Sequence, residues 1–190
     1  MRTETLNVFF SLLALLAFAI SATGAVAAVV AVVSPVARRR LAHWCAGSWD
    51  RIVGMGFAVA FVSTAGSLYY SEIADFEPCV LCWYQRIAMY PLVLILGIGW
   101  LRRDASSAWY ALPLAGIGAG ISTYHVLVER YPSLGEGLSC SVQAPCSVPY
   151  FRQFGWITIA VMALAGFLAV ATCCVGAIIG DRVDRTMADP

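Results

Sequence analysis

Apolar and polar positions along this chain are sorted into blocks and do not alternate. Five apolar runs, at 6–33, 52–70, 83–101, 105–128 and 154–180, are divided by short segments that hold nearly all of the charge. Each run is close to or longer than the roughly 20 residues a helix needs to cross about 30 Å of hydrocarbon. The pattern predicts five membrane-spanning helices and no soluble domain of any size. The 116–120 stretch carries Gly116, Gly118 and Gly120, a small-residue spacing that lets helices approach closely. Aromatic residues gather at the ends of three runs (Tyr69, Tyr70, Trp83, Tyr84, Tyr150, Phe151, Phe154 and Trp156), as expected at the headgroup level.

Composition agrees with this class. Of 190 residues, 61% are apolar and only 12% are charged, outside the range of soluble domains. All 12 basic residues are arginines, so they alone report orientation. Arg38, Arg39, Arg40 and Arg51 follow the first run, Arg102 and Arg103 the third, and Arg182 and Arg185 the fifth. By the positive-inside bias these segments face the cytoplasm, and the segments at 71–78 and 129–153 face out. The first run resembles a secretory signal at Ala25, Val26 and Ala27. Cleavage there would export the arginine cluster, and the run is long for a signal core, so it is read as a retained helix with its N-terminus outside.

The two outward segments carry two cysteine pairs, Cys79/Cys82 and Cys140/Cys146. Cys79 and Cys82 follow Pro78 at the start of the third run, where unpaired N–H groups and the positive dipole end favour a thiolate over a thiol. A Cys-x-x-Cys turn also permits the Cα separation of a disulfide. The second pair lies in a polar loop, where a disulfide can act as a mobile thiol relay. Only two polar ionisable residues fall inside the runs, Arg86 and His125. Charge at membrane depth is costly, which makes both functional candidates. Arg86, four residues past Cys82, is placed to stabilise negative charge on Cys82 or on an electron acceptor against it. His125 is placed to hydrogen-bond such an acceptor. Cys45, in the first arginine-rich loop, and Cys173/Cys174, deep in the fifth run, are too far from the outer pairs to join them and read as free or structural thiols. Glu129, Arg130 and Tyr131 read as boundary residues.

The run Cys79-Val80-Leu81-Cys82-Trp83-Tyr84-Gln85-Arg86 resembles the first cysteine motif of the DsbB family of membrane thiol:quinone oxidoreductases. Tyr124-His125 with Tyr131-Pro132, and the stretch from Cys140 through Pro145-Cys146-Ser147-Val148 to Phe154-Gly155-Trp156-Ile157-Thr158, are similar to its short-loop BdbC-type members. The resemblance covers 52–171. It implies an all-α integral membrane fold: a four-helix bundle over residues 35–190, preceded at 1–34 by an extra transmembrane helix that the family pattern lacks. It further implies a bacterial cytoplasmic (inner) membrane location with the active cysteines extracytoplasmic. The implied enzyme reoxidises a thioredoxin-fold, DsbA-like dithiol partner and passes the electrons to a membrane quinone, ubiquinone or menaquinone. Carried over by residue, Cys79, Cys82, Cys140 and Cys146 are catalytic, with Cys140 the site of the mixed disulfide. Cys82 then faces the quinone with Arg86, and His125 joins the quinone site. The expected partners are that oxidase and membrane lipid, with no nucleic acid.

Two other readings use the same cysteines. A vitamin K epoxide reductase-like enzyme also has two pairs in a membrane bundle, but there the loop pair precedes the Cys-x-x-Cys pair. A non-enzymatic metal-binding or transport protein would use the four thiols as zinc ligands. An intramembrane arginine beside one pair opposes a divalent cation, so no resident metal is expected.

Overall fold

The computed structural model describes residues 2–135 and 145–188. Among the described residues there are six α-helices: α1 (Arg2–Val33), α2 (Pro35–Ala46), α3 (Trp49–Glu72), α4 (Val80–Arg102), α5 (Ser107–Arg130) and α6 (Ile159–Ala188). All but α2 are long and apolar enough to cross a membrane. Their limits follow local chemistry. Pro35 bars Ser34 from helical backbone, so α1 stops there; Ser34 turns extended, and its Oγ accepts from Ala37 N to start α2 with proline in the first turn. At the end of α4, Arg103 adopts a left-handed conformation (φ 50°), which lets Asp104 N donate to Gly99 O at 2.8 Å and turns the chain into α5.

Two segments depart from the block pattern of the sequence. The arginine-rich segment after the first run is expected to be a loop, yet most of it forms α2, with Cys45 and Ala46 buried. This helix is too short and too charged to follow the span pattern, and only its last residues turn inward. The fifth run begins as a tight turn at 153–157, where Phe154 and Gly155 both have positive φ and Gln153 pairs with Ile157. Helix α6 starts only at Ile159, with Thr158 Oγ1 accepting from Val161 N.

Helices α3 to α6 form a closed four-helix ring in which α3 touches α4 and α6, and α5 touches α4 and α6. Phe167, Leu92, Leu96, Val53 and Val170 fill its centre, and Ala108, Ala111 and Ala115 let α5 come close. Phe167 occupies the space a side chain at Gly118 would take. The Gly116 and Gly120 pair, expected to serve close packing, instead faces open space, and Gly118 alone makes the approach. Outside the ring, α1 packs along α6, and α2 crosses the far end of α6 and α1. Contacts of Tyr70 with Asn7, Tyr150 with Glu77 and Thr158 with Glu129 place 73–79, 131–135 and 145–158 at one end, together with the start of α1. The arginine-rich segments share the other end. Cys45, Cys173 and Cys174 are free, belong to the main apolar core and lie toward that other end, apart from Cys79 and Cys82. Burial pushes the Cys45 thiol up from its ordinary value, which favours its neutral form.

Candidate active site

Cys79 is the N-cap of α4. Its backbone is extended (φ −68°, ψ 169°), and its Sγ accepts from the Cys82 N–H at 3.3 Å. The sulfur therefore sits in the ring of unpaired amides at the positive end of the helix, where a thiolate is favoured. Cys82 follows one turn later, with the two Sγ atoms 2.8 Å apart, and neither is in a disulfide. Proline precedes the cap, which keeps the chain extended up to Cys79 and fixes where the helix starts.

A polar chain crosses from α4 to α5 behind this pair. Gln85 Nε2 meets Ser122 Oγ at 3.1 Å and His125 Nδ1 at 3.3 Å, all buried. An amide nitrogen only donates, so Nδ1 is the acceptor and a neutral His125 carries its proton on Nε2. That N–H points at Cys79 Sγ, 3.7 Å away. The Cys79 thiol is held below its ordinary value of 9.0, first by the hydrogen bond from the Cys82 side chain and, against the opposing effect of burial, by the bond and field of His125. His125 is thus turned toward the first cysteine of the pair. Gln85 and Ser122 were missed in the sequence; a glutamine inside an apolar run was the available signal.

Arg86 takes the other side of Cys82. Its Nε donates to Ser67 Oγ at 2.9 Å and one Nη to Ser67 O at 3.1 Å, on α3, and its guanidinium lies 5.3 Å from the centre of the Trp83 ring. Two hydrogen bonds and a cation–π contact hold the charge at depth and stop it from reaching freely to the headgroups. Glu129, read as a boundary residue, accepts from Thr158 Oγ1 at 2.7 Å and faces the same space.

That space is an apolar cavity of about 440 Å³. Cys79, Cys82, Arg86, His125 and Glu129 line one end of it. Its roof is aromatic: Phe76 stacks between Tyr70 (5.7 Å) and Tyr150 (4.5 Å), and Tyr150 OH donates to Glu77 O at 2.7 Å. This stack ties the segment before Cys79 to the segment after Cys146. Cys146 is disulfide-bonded, and it shares one buried apolar cluster with Cys79, Leu81 and Val128. Cys140 lies outside the described residues. The structure thus brings together Cys79, Cys82, Cys146, Arg86 and His125 at one end of the bundle.

The Cys79, Cys82 and His125 ligand atoms lie within 4.8 Å of one another, close enough to meet a single metal ion. Cys146, bonded to sulfur, is not available as a fourth thiolate, so the four-thiol zinc arrangement is not built here.

A family model described as "Disulfide bond formation protein DsbB" matches residues 49–177. The chain belongs to the DsbB family. Among curated relatives, "Probable disulfide formation protein C 1" of Bacillus anthracis is 47% identical over 117 residues, covering 62% of this chain and 84% of that protein. "Disulfide bond formation protein C" of Bacillus subtilis is 48% identical over 123 residues, 64% of this chain and 89% of that protein. A "Probable disulfide formation protein C" of Halalkalibacterium halodurans is 40% identical over 135 residues, 71% and 93% of the two chains. No solved structure matches significantly. As a DsbB-family protein with five helices able to span a bilayer, the chain is a multi-pass membrane oxidoreductase of disulfide formation. The matched segment holds the ring α3 to α5 and most of α6, and leaves α1 and α2 outside it.

Proposed function

We propose that this protein oxidises the dithiol of a thioredoxin-fold, DsbA-like partner outside the cytoplasm and delivers the two electrons to a membrane quinone. The observation that carries the reading is the cavity wall itself. A Cys-x-x-Cys pair, a half-buried arginine and a neighbouring disulfide cysteine meet at one end of an apolar space open to a hydrophobic acceptor. Its volume of about 440 Å³ is within the range of small-molecule pockets. Cys82 and Arg86 would hold the acceptor's polar ring, and the acceptor supplies a sink for two electrons and two protons.

The chain's own residues then act in sequence. A partner thiolate attacks Cys140 Sγ, the Cys140–Cys146 bond breaks, and Cys146 leaves as the thiolate. Cys146 attacks Cys79 of an oxidised Cys79–Cys82 pair, and Cys82 leaves as a thiolate beside Arg86. The partner's second thiol releases Cys140. Cys140 then attacks Cys146 and restores the loop disulfide. Cys79 departs as a thiolate held by the His125 Nε2–H. The reduced Cys79/Cys82 pair finally gives up two electrons and two protons, so that partner dithiol plus quinone becomes partner disulfide plus quinol. A lowered Cys79 pKa makes it a good leaving group in the last exchange.

The arginine bias supports an outward-facing cysteine end, and the proposed cycle would run at the outer face of a bacterial cytoplasmic membrane. The division into an added helix at 1–34 and a catalytic bundle at 35–190 accompanies this reading. The test is Cys82→Ser with a reduced thioredoxin-fold protein and a quinone: the variant is expected to lose quinone reduction while still forming a mixed disulfide with the partner. Full quinone reduction by Cys82→Ser overturns the relay.

A further inference from the structure

The cavity beside Cys82 is not closed by the four-helix ring. One of its walls is α1, which contributes Phe10, Leu13, Leu16 and Ile20, with Ala14 and Ala17 between them. From Phe10 to Ile20 this wall rises about 15 Å along the helix axis, at roughly 1.5 Å per residue. On the facing side, α3 lines the same space from Tyr70 down to Ala58, and α6 from Ile159 to Phe167. The space is therefore elongated along α1. Its polar end holds Cys82 and Arg86, and its depth is walled by aliphatic and aromatic carbon.

Helix α1 is held against this space by specific contacts. Ala14 and Ala17 are buried against Ala165 and Ala169 of α6, and Gly24 leaves room for Thr172. Near the cysteine end, Tyr70 OH donates to Asn7 Oδ1 at 3.0 Å, both buried, and the Phe10 ring lies over Gly66 and 5.7 Å from Tyr70. Small residues and a buried hydrogen bond are the interactions that fix one helix to another in lipid, where apolar surface alone gives no preference.

We propose that α1 is part of the acceptor site: its Phe10–Ile20 face is the binding surface for the prenyl tail of a quinone whose ring lies at Cys82 and Arg86. The inference rests on the quinone-reducing reading above and adds to it a residue set that lies outside the family match. It makes Leu13, which lines the cavity and lies outside the cluster of Ala14 and Ala17 with α6, a positioning residue for the tail.

The full chain in lipid nanodiscs, given a reduced thioredoxin-fold partner, is assayed with a long-tailed prenyl quinone and with the same ring lacking a tail. Leu13→Trp, which fills the channel, is expected to raise KM for the long-tailed quinone roughly tenfold. Its KM for the tail-less ring and its rate of dithiol exchange with the partner are expected to stay near wild type. Leu13→Ala, a truncation that leaves the α6 contacts intact, is expected to shift KM in the same selective way by a smaller factor. Equal shifts for both quinones, or no shift in either variant, overturn the role of α1 while leaving quinone reduction standing. Failure of the wild-type protein to reduce either quinone overturns the parent reading and this one with it.

Discussion

His125 Nε2 meets Cys79 Sγ at 3.7 Å across the α4–α5 contact, on the side of the cysteine pair away from Arg86. The two ionisable residues of the membrane runs therefore serve different sulfurs. Histidine addresses the first cysteine through a fixed N–H, and arginine provides the field near the second.

Removing that N–H should raise the Cys79 pKa. A hydrogen bond to a charged group is worth about 1.5–3 kcal/mol, which corresponds to roughly one to two pKa units. The native thiol sits below 9.0, so its alkylation rate climbs with pH through a midpoint lower than that of an ordinary thiol. In His125→Ala the midpoint should move up. Gln85→Leu, which frees the tautomer without removing the ring, should move it less. The pH dependence of iodoacetamide labelling in the reduced protein, with Cys82 changed to serine in every sample, measures both; an unmoved midpoint in His125→Ala contradicts the assignment.

Arg86 should act through geometry as well as charge. Its fork makes two bonds to Ser67, an arrangement a lysine cannot copy. Arg86→Gln is expected to raise KM for the quinone and slow its reduction by one to two orders of magnitude, roughly the effect of losing a charge-assisted contact. Arg86→Lys should recover only part of this, and Ser67→Ala should cause a smaller loss than either. Quinone kinetics alongside partner-dithiol exchange separate this from unfolding, because exchange at Cys140/Cys146 should be unchanged.

Gly118 and Gly116 should respond oppositely to alanine. A methyl group at Gly118 overlaps the Phe167 ring, and that ring is fully buried with nowhere to move. Overpacking of this kind costs about 1–3 kcal/mol. At Gly116 nothing lies within 4 Å, so alanine should be neutral or stabilise by up to about 1 kcal/mol through helix propensity. Thermal unfolding in detergent compares the two variants directly, and equal melting temperatures would contradict the packing described.

Orientation is open to a simple reporter. Fused after Arg40, a reporter that is active only in the cytoplasm should be active, and one that requires export should be silent. Fused after Glu77, the pattern should reverse. Export of the Arg40 fusion would place the cysteine pairs on the wrong face for the proposed cycle.

Much of the molecule was legible before folding is considered. The five spans, the shared end of the cysteine segments and the position of Cys79 at a helix start all follow from the run lengths, the arginines and Pro78. Arg86 and His125 stood out because charge and imidazole are rare at that depth, and both line the cavity. Gln85, Ser122 and Ser67 did not stand out. Uncharged polar side chains recur in membrane helices, where they often bond to their own helix, as Ser71 and Thr123 do here. Helix α2 escaped notice because its arginines mask a single inward edge ending in Cys45.

The sequence by itself determined what hydrocarbon enforces one segment at a time: which stretches span, which ends share a face, and where a thiolate is favoured. Those are local properties of length, charge and capping. Only the tertiary structure decided which side chains meet: His125 with Cys79, Arg86 with Ser67, and α1 along the cavity wall. In lipid the apolar faces of helices are nearly equivalent, so pairing is set by small residues and a few buried hydrogen bonds whose partners lie far apart in the chain.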